Sequence, residues 1–398
     1  MFKDLGPKNQ RIMLALVIWG LGEGLWLNMR QLYLAELGAA PDQVGVALAI
    51  EGIMRAVLPI PAGYLADRAG PYRLMVLSWV LGTIGPALMA LAPDWRLVIP
   101  GMVIYGMSAF AIPAMNSYVL LSLPDQSLPG IGDRAVTSVF ASFYAGLIIS
   151  PWIGGMIADA TSIRVSLWVG LALFVISTLV VLTAGGVAPP AVESRGQPRR
   201  LLHNRLFIGI SIYYMFALFS VQVGFPLAPN FVHEVRGLSL ANIGLLLSIM
   251  SIGAVVLSVG LGRANPRWNF AAALGVAWLA LMGLWSLSSF AGVALAFFAL
   301  GGVAVTRTLG TAGIARVVGP ENRALAFGIF ETLSSVQIAL AAWAAGGLYG
   351  LTPTHTLPFI AGIILAPLAV TIWFAARLGQ ASTAQTMVIV PEPTTPGD

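Results

Sequence analysis

Residues 12–34 read IMLALVIWGLGEGLWLNMRQLYL. As an α-helix the stretch is about 35 Å long, enough to cross a hydrocarbon core of about 30 Å. Only Glu23 and Arg30 carry charge in it. A charged residue near the bilayer centre costs about 2.5 to 3.5 kcal/mol on insertion scales, so both are functional candidates by default. Trp19, Glu23, Trp26 and Arg30 recur at steps of four, three and four, which places them on one helical face. The spacing predicts a polar and aromatic stripe turned toward a central cavity. Arg30 stands near the outer end of the helix, where it can snorkel, and is the weaker candidate.

Similar apolar runs of about 20 residues recur along the chain. The first six are Ile12 to Leu34, Val44 to Ala66, Leu74 to Ala92, Leu97 to Leu121, Val136 to Ala158 and Val165 to Gly186. The second six are Leu206 to Pro229, Leu240 to Leu261, Phe270 to Leu287, Ala291 to Ala315, Ala324 to Tyr349 and Pro358 to Ala376. The predicted fold class is therefore all-α integral membrane, with twelve transmembrane helices. Composition agrees: 58% of the residues are hydrophobic, 9% are charged, and the mean hydropathy is +0.86. A soluble domain is about 25% charged, so soluble globules, coiled coils and disordered chains are excluded. No small-residue cleavage pattern follows the first run, which is read as a retained helix and not a signal peptide.

The net charge of +5 is not a nucleic-acid signal, because the only lysines, Lys3 and Lys8, precede the first run. With the amino terminus in the cytoplasm, 15 of the 21 basic residues fall on the cytoplasmic side. Arg96, Arg164 and Arg236 fall outside, and Arg30, Arg55 and Arg307 fall within spans. The positive-inside rule then predicts a multi-pass plasma (inner) membrane protein with both termini cytoplasmic. Residues 188–205, with Pro189, Pro190, Arg195, Arg199 and Arg200, form a basic linker between an N-terminal bundle (1–187) and a C-terminal bundle (206–378). A disordered cytoplasmic tail is expected over 379–398.

Several chemistries drop out. No lysine lies beyond residue 8, so a phosphate-loop pump is excluded. The chain has no cysteine, which removes disulfides and thiol catalysis. His203, His233 and His355 read as loop residues without ligand spacing, so no metal, cofactor or enzymatic site is expected.

The two halves resemble each other. VGVAL from Val44 parallels IGLLL from Ile243, and GDRA from Gly132 parallels ENRA from Glu321. The spans that these last two motifs open end near glycine pairs, Gly154 with Gly155 and Gly346 with Gly347. Two pseudo-symmetric six-helix bundles with a site between them are the architecture of a rocking transporter. The buried charges do not follow the repeat: Glu23 lies opposite Ala217, Arg30 opposite Gly224, Glu51 opposite Met250 and Arg55 opposite Ala254. A fold that needed them for packing would need them twice.

At the end of the second run the sequence reads GYLADRAGPYR, Gly63 to Arg73. Its Gly63, Asp67, Arg68, Gly70 and Arg73 resemble the loop signature of the major facilitator superfamily, with Pro71 in place of the usual basic residue. The resemblance implies that this loop latches one conformational state. Gly146, Pro151, Gly154 and Gly155 resemble the family's antiporter motif, with Ser150 where that motif has glycine. The alternative reading is a proline kink beside small residues that let helices pack closely. The arginine found in the fourth span of many of the family's drug antiporters is absent here.

These features point to a secondary transporter without cofactors, with a small-molecule substrate and protons as its partners, seated in the lipid bilayer as a monomer. The preferred reading is proton-coupled export of amphipathic or lipophilic small molecules. A carboxylate in a dry cavity can alternate between protonated and charged as access switches, which makes Glu23, Glu331 and Glu51 the proton-coupling candidates. Trp19, Trp26, Arg30, Arg55, Tyr105, Asn116, Tyr213 and Arg307 are the substrate-binding candidates. Glu51 can pair with Arg55 four residues on, and Glu331 with Arg307. One rival is an organic-anion carrier in which Arg55 and Arg307 clamp the substrate. Another is a receptor or lipid-translocating protein on the same fold.

Overall fold

The computed structural model describes residues 5–57, 70–124, 131–187, 204–265, 267–317 and 323–388. In chain order these form α1 (Gly6–Gly24), α2 (Arg30–Glu36), α3 (Pro41–Val57), α4 (Pro71–Leu91), α5 (Trp95–Met107), α6 (Ala111–Leu121), α7 (Ile131–Ala160) and α8 (Ile163–Leu182). There follow α9 (Arg205–Gln222), α10 (Ala228–Glu234), α11 (Leu240–Arg263), α12 (Asn269–Ser286), α13 (Phe290–Leu300), α14 (Gly302–Val317), α15 (Arg323–Leu351) and α16 (Thr356–Val388).

Among the described residues ten spans are long and apolar enough to cross a membrane, with α1 and α2 counted as one and α13 and most of α14 as another. The shorter apolar helix α5 and α3, which stops at the edge of the described residues, bring the count to the twelve expected from the sequence. Polar side chains punctuate the apolar runs: Asp94, Ser162, Asn204, Ser239 and Ser289 each accept a backbone N–H at a helix start. Ile212, Leu279, Leu295, Trp343 and Phe359 are exposed on the outside, an arrangement that suits lipid and not water. α16 continues to Val388, into the stretch expected to be a disordered tail, because no proline intervenes before Pro391.

Four crossings are broken, each the first of a triplet. A 3₁₀ turn at Leu27–Met29 separates α1 from α2, and another at Ser108–Phe110 separates α5 from α6. α9 and α10 are divided over 223–227, which holds Gly224 and Pro226, and α13 and α14 at Gly301. Glycine is a poor helix former and proline brings no N–H donor. Non-helical backbone at membrane depth is tolerated only where protein or a cavity surrounds it.

Helices up to α8 pack mainly on one another, as do those from α9 on; the two groups meet chiefly through α3 with α15 and α7 with α11, with a smaller contact of α2 with α10. Both junctions are glycine contacts. A Cβ on Gly45 would lie 2.8 Å from Gly346 Cα, and one on Gly155 would lie 2.8 Å from Gly244 Cα. Gly45 and Gly244 sit in the matching VGVAL and IGLLL segments, and Gly155 and Gly346 in the matching glycine pairs. The α7–α11 junction adds polar contacts: Asp159 Oδ1 accepts from Leu240 N (3.1 Å) and Ser248 Oγ from Trp152 N (3.1 Å).

Candidate functional site

A small cavity opens where three of the helix breaks converge between the two groups. Leu27, Asn28, Arg30 and Gln31 line it from the first break, and Gln222, Phe225 and Pro226 from the third. Leu247, Met250, Phe297, Leu300, Ile338 and Ala342 supply an apolar wall. Arg30 is the one charged side chain among these lining residues. Discontinuous helices at the interface of two repeats are where transporters place their substrates.

Behind Arg30 lies a charge cluster. Glu51 on α3 is 2% exposed, and its Oε1 faces Arg55 Nη2 at 2.9 Å and Arg30 Nη1 at 3.4 Å. Arg55 Nε donates a second hydrogen bond to it at 3.2 Å, as the i, i+4 spacing allows. Arg55 also lies 5.5 Å from the centre of the Tyr105 ring. Glu23 on α1 is 8% exposed and accepts a hydrogen bond from Trp19 Nε1 at 3.0 Å, one helical turn earlier. Glu23 forms no ion pair among the described residues; the Tyr105 hydroxyl is a second hydrogen-bond partner, and Arg55 and Arg30 lie within its electrostatic reach. Two acids and two arginines make the cluster neutral when all four are ionised.

A twelve-crossing chain with breaks at equivalent places in each triplet and a site between two repeats restricts the family. The family model described as Major Facilitator Superfamily matches residues 12–285. This chain belongs to the Major Facilitator Superfamily. It is thus a membrane transporter. It is similar to the multidrug resistance protein MdtG of Proteus mirabilis (strain HI4320), at 24% identity over 289 residues, 66% of this chain and 70% of that one. Among solved structures it resembles the nucleoside transporter NupG, with a TM-score of 0.74 and 16% identity over 94% of this chain and 98% of that one. It also resembles the human organic anion transporter MFSD10, with a TM-score of 0.64 and 14% identity over 92% of this chain and all of that one.

Within this superfamily fold the remaining sequence candidates take definite places. Trp19 and Trp26 do not line the cavity. Trp19 stacks on Phe174, with ring centres 3.9 Å apart, and Trp26 is 1% exposed and edge-on to Tyr105 and Phe174. The break at Leu27–Met29 falls between these tryptophans and Arg30, so the four residues do not share one continuous helical face. Tyr213 bonds Thr371 and the Pro367 carbonyl of α16, and half-buried Asn116 on α6 is likewise outside the cavity lining. Arg307 is paired with Glu331 across α14 and α15, and both side chains are about half exposed. Arg55 and Arg307 therefore each hold an acid and neither lines the cavity.

The family motifs divide in the same way. Gly63, Asp67 and Arg68 lie outside the described residues. Gly70 has φ +85°, a left-handed conformation that favours glycine, immediately before Pro71 opens α4, and Arg73 is exposed in the first turn. Gly146 and Gly154 press on α1: a Cβ would lie 2.5 Å from Leu21 N and 2.1 Å from Leu25 O. Ser150 Oγ donates to the Gly146 carbonyl (2.8 Å), beside the Gly20 carbonyl at 3.3 Å, and fills the space that glycine leaves at Gly24. These small residues hold α7 against the part of α1 that carries Glu23. His233, expected in a loop, stands in the last turn of α10 with Nδ1 2.8 Å from the Leu238 carbonyl. Phe225, Pro226, Met250 and Phe297 were absent from the sequence candidates; the Gly-Phe-Pro interruption at 224–226 was the available signal.

Proposed function

We propose that this transporter is proton-coupled and exports amphipathic or lipophilic small molecules by alternating access. One observation carries the coupling: Glu23 is buried, held by an indole N–H, and free of any ion pair among the described residues, beside a cluster that reaches the cavity. Such a carboxyl can take up a proton without stranding a bound cation, whereas protonating Glu51 would leave two arginines without their acid. The similarity to a protein named for multidrug resistance supports export.

In this reading residues 1–187 and 206–378 rock against each other about the linker 188–205, in the inner membrane with both termini cytoplasmic. The Gly45–Gly346 and Gly155–Gly244 contacts then form the outer closure, and the loop of Asp67 and Arg68 biases one state on the cytoplasmic side. The chain works as a monomer, with the substrate at the helix breaks and the proton at Glu23.

The test is flux in proteoliposomes of the purified chain with a fluorescent lipophilic amphiphile, with and without an imposed pH gradient. The gradient is expected to raise accumulation several-fold, and a protonophore to abolish the gain. Equal accumulation with and without the gradient contradicts proton coupling.

A further inference from the structure

Three arginines, Arg30, Arg55 and Arg307, fall inside apolar runs of the sequence, and their surroundings rank them differently from their positions in sequence. Arg307 is committed to Glu331. Arg55 holds Glu51 through two nitrogens, at 2.9 and 3.2 Å, and does not line the cavity. Arg30 touches the same Glu51 oxygen through one nitrogen at 3.4 Å, and its Nε is buried without a partner. Arg30 is also the only charged side chain lining the cavity among the described residues, where the amide residues Asn28, Gln31 and Gln222 accompany it.

We propose that Arg30 is the specificity-determining residue of the cavity and that it selects substrates with an anionic head on an apolar body. The inference rests on the transport reading above and names its substrate class. An incoming carboxylate can take the Arg30 guanidinium from Glu51 at little cost, because Glu51 keeps its two-point contact with Arg55. Among the described residues no cavity-lining carboxylate offers a cationic head the same reception. An ammonium there would meet Arg30 as a like charge in a low-dielectric setting, where repulsion is strong. The apolar wall of Leu247, Met250, Phe297 and Ile338 suits the body of such a molecule.

The test uses three probes on one ring: phenylacetate, phenylacetamide and phenethylammonium. Their binding to the purified full-length chain is measured by equilibrium dialysis, and their flux in proteoliposomes. Phenylacetate is expected to bind at least about tenfold more tightly than phenethylammonium, the ratio that one charge-assisted contact supplies. Arg30→Gln should remove that preference while leaving phenylacetamide binding within a few fold, and Arg30→Lys should restore part of it. Melting temperatures of both variants should stay near that of the unaltered chain, since Glu51 retains Arg55. Tighter binding of the cation, unchanged phenylacetate binding in Arg30→Gln, or binding of none of the probes overturns the proposal. Flux of the probes without charge preference defeats this inference and leaves transport standing. Arg30-dependent binding without flux does the reverse.

Discussion

Glu51 and Glu331 sit on α3 and α15, the two helices that pack on each other across the halves, yet their surroundings differ. Glu51 is 2% exposed and shared by two arginines, whereas Glu331 is 51% exposed and holds one. The glycine contacts behave otherwise: Gly45 on Gly346 and Gly155 on Gly244 are equivalent in the repeat and nearly identical in closeness. The scaffold is thus used twice and the buried charge once. An exposed pair is worth little and costs little, but burying ions is expensive unless each is satisfied. Among the described residues the chain takes on that expense in the first half only, and its chemistry is concentrated there.

The largest expected effect separates the two acids. Glu51→Gln leaves Arg30 and Arg55 without their shared acid and should cost about 3 to 5 kcal/mol of stability, read as a clear fall in melting temperature in detergent. Glu331→Gln should cost no more than about 1 kcal/mol. Equal losses would erase the contrast between the halves.

Smaller effects are expected from the symmetric scaffold. Gly155→Leu and Gly346→Leu each force a side chain against backbone, with the nearest carbonyl oxygens 2.5 and 2.6 Å from the new Cβ. Each should cost about 1 to 3 kcal/mol by overpacking and shift the chain toward the state in which these ends part. Labelling of a cysteine introduced at the Gly45 level of either variant should speed up to a similar degree. A strong response at one glycine and none at the other would break the symmetry.

Much of this frame is visible in the residues themselves. Apolar runs of membrane length are an all-or-none signal, and VGVAL against IGLLL already shows the repeat. What the repeat could not show is which glycine meets which, because contact between halves is a tertiary fact with no local periodicity. The aromatic stripe failed to face the cavity for a different reason. Steps of four, three and four from Trp19 to Arg30 define one face only if the helix is continuous, and the 3₁₀ turn at Leu27–Met29 resets the phase. Trp19 and Glu23 stay on one face, and Arg30, the weakest candidate by position, becomes the charged lining of the cavity. The i, i+4 pair of Glu51 and Arg55 was legible because it lies within one unbroken helix.

The most direct test of charge concentrated in the first half is pH-driven flux in Glu23→Gln and Glu331→Gln, reconstituted side by side. Glutamine keeps the shape and hydrogen bonding of a protonated acid but cannot release a proton. Glu23→Gln should abolish pH-driven accumulation while substrate binding persists, and Glu331→Gln should keep most of the flux. Normal pH-driven accumulation in Glu23→Gln, with its loss in Glu331→Gln, would contradict the account and move the proton site to the second half.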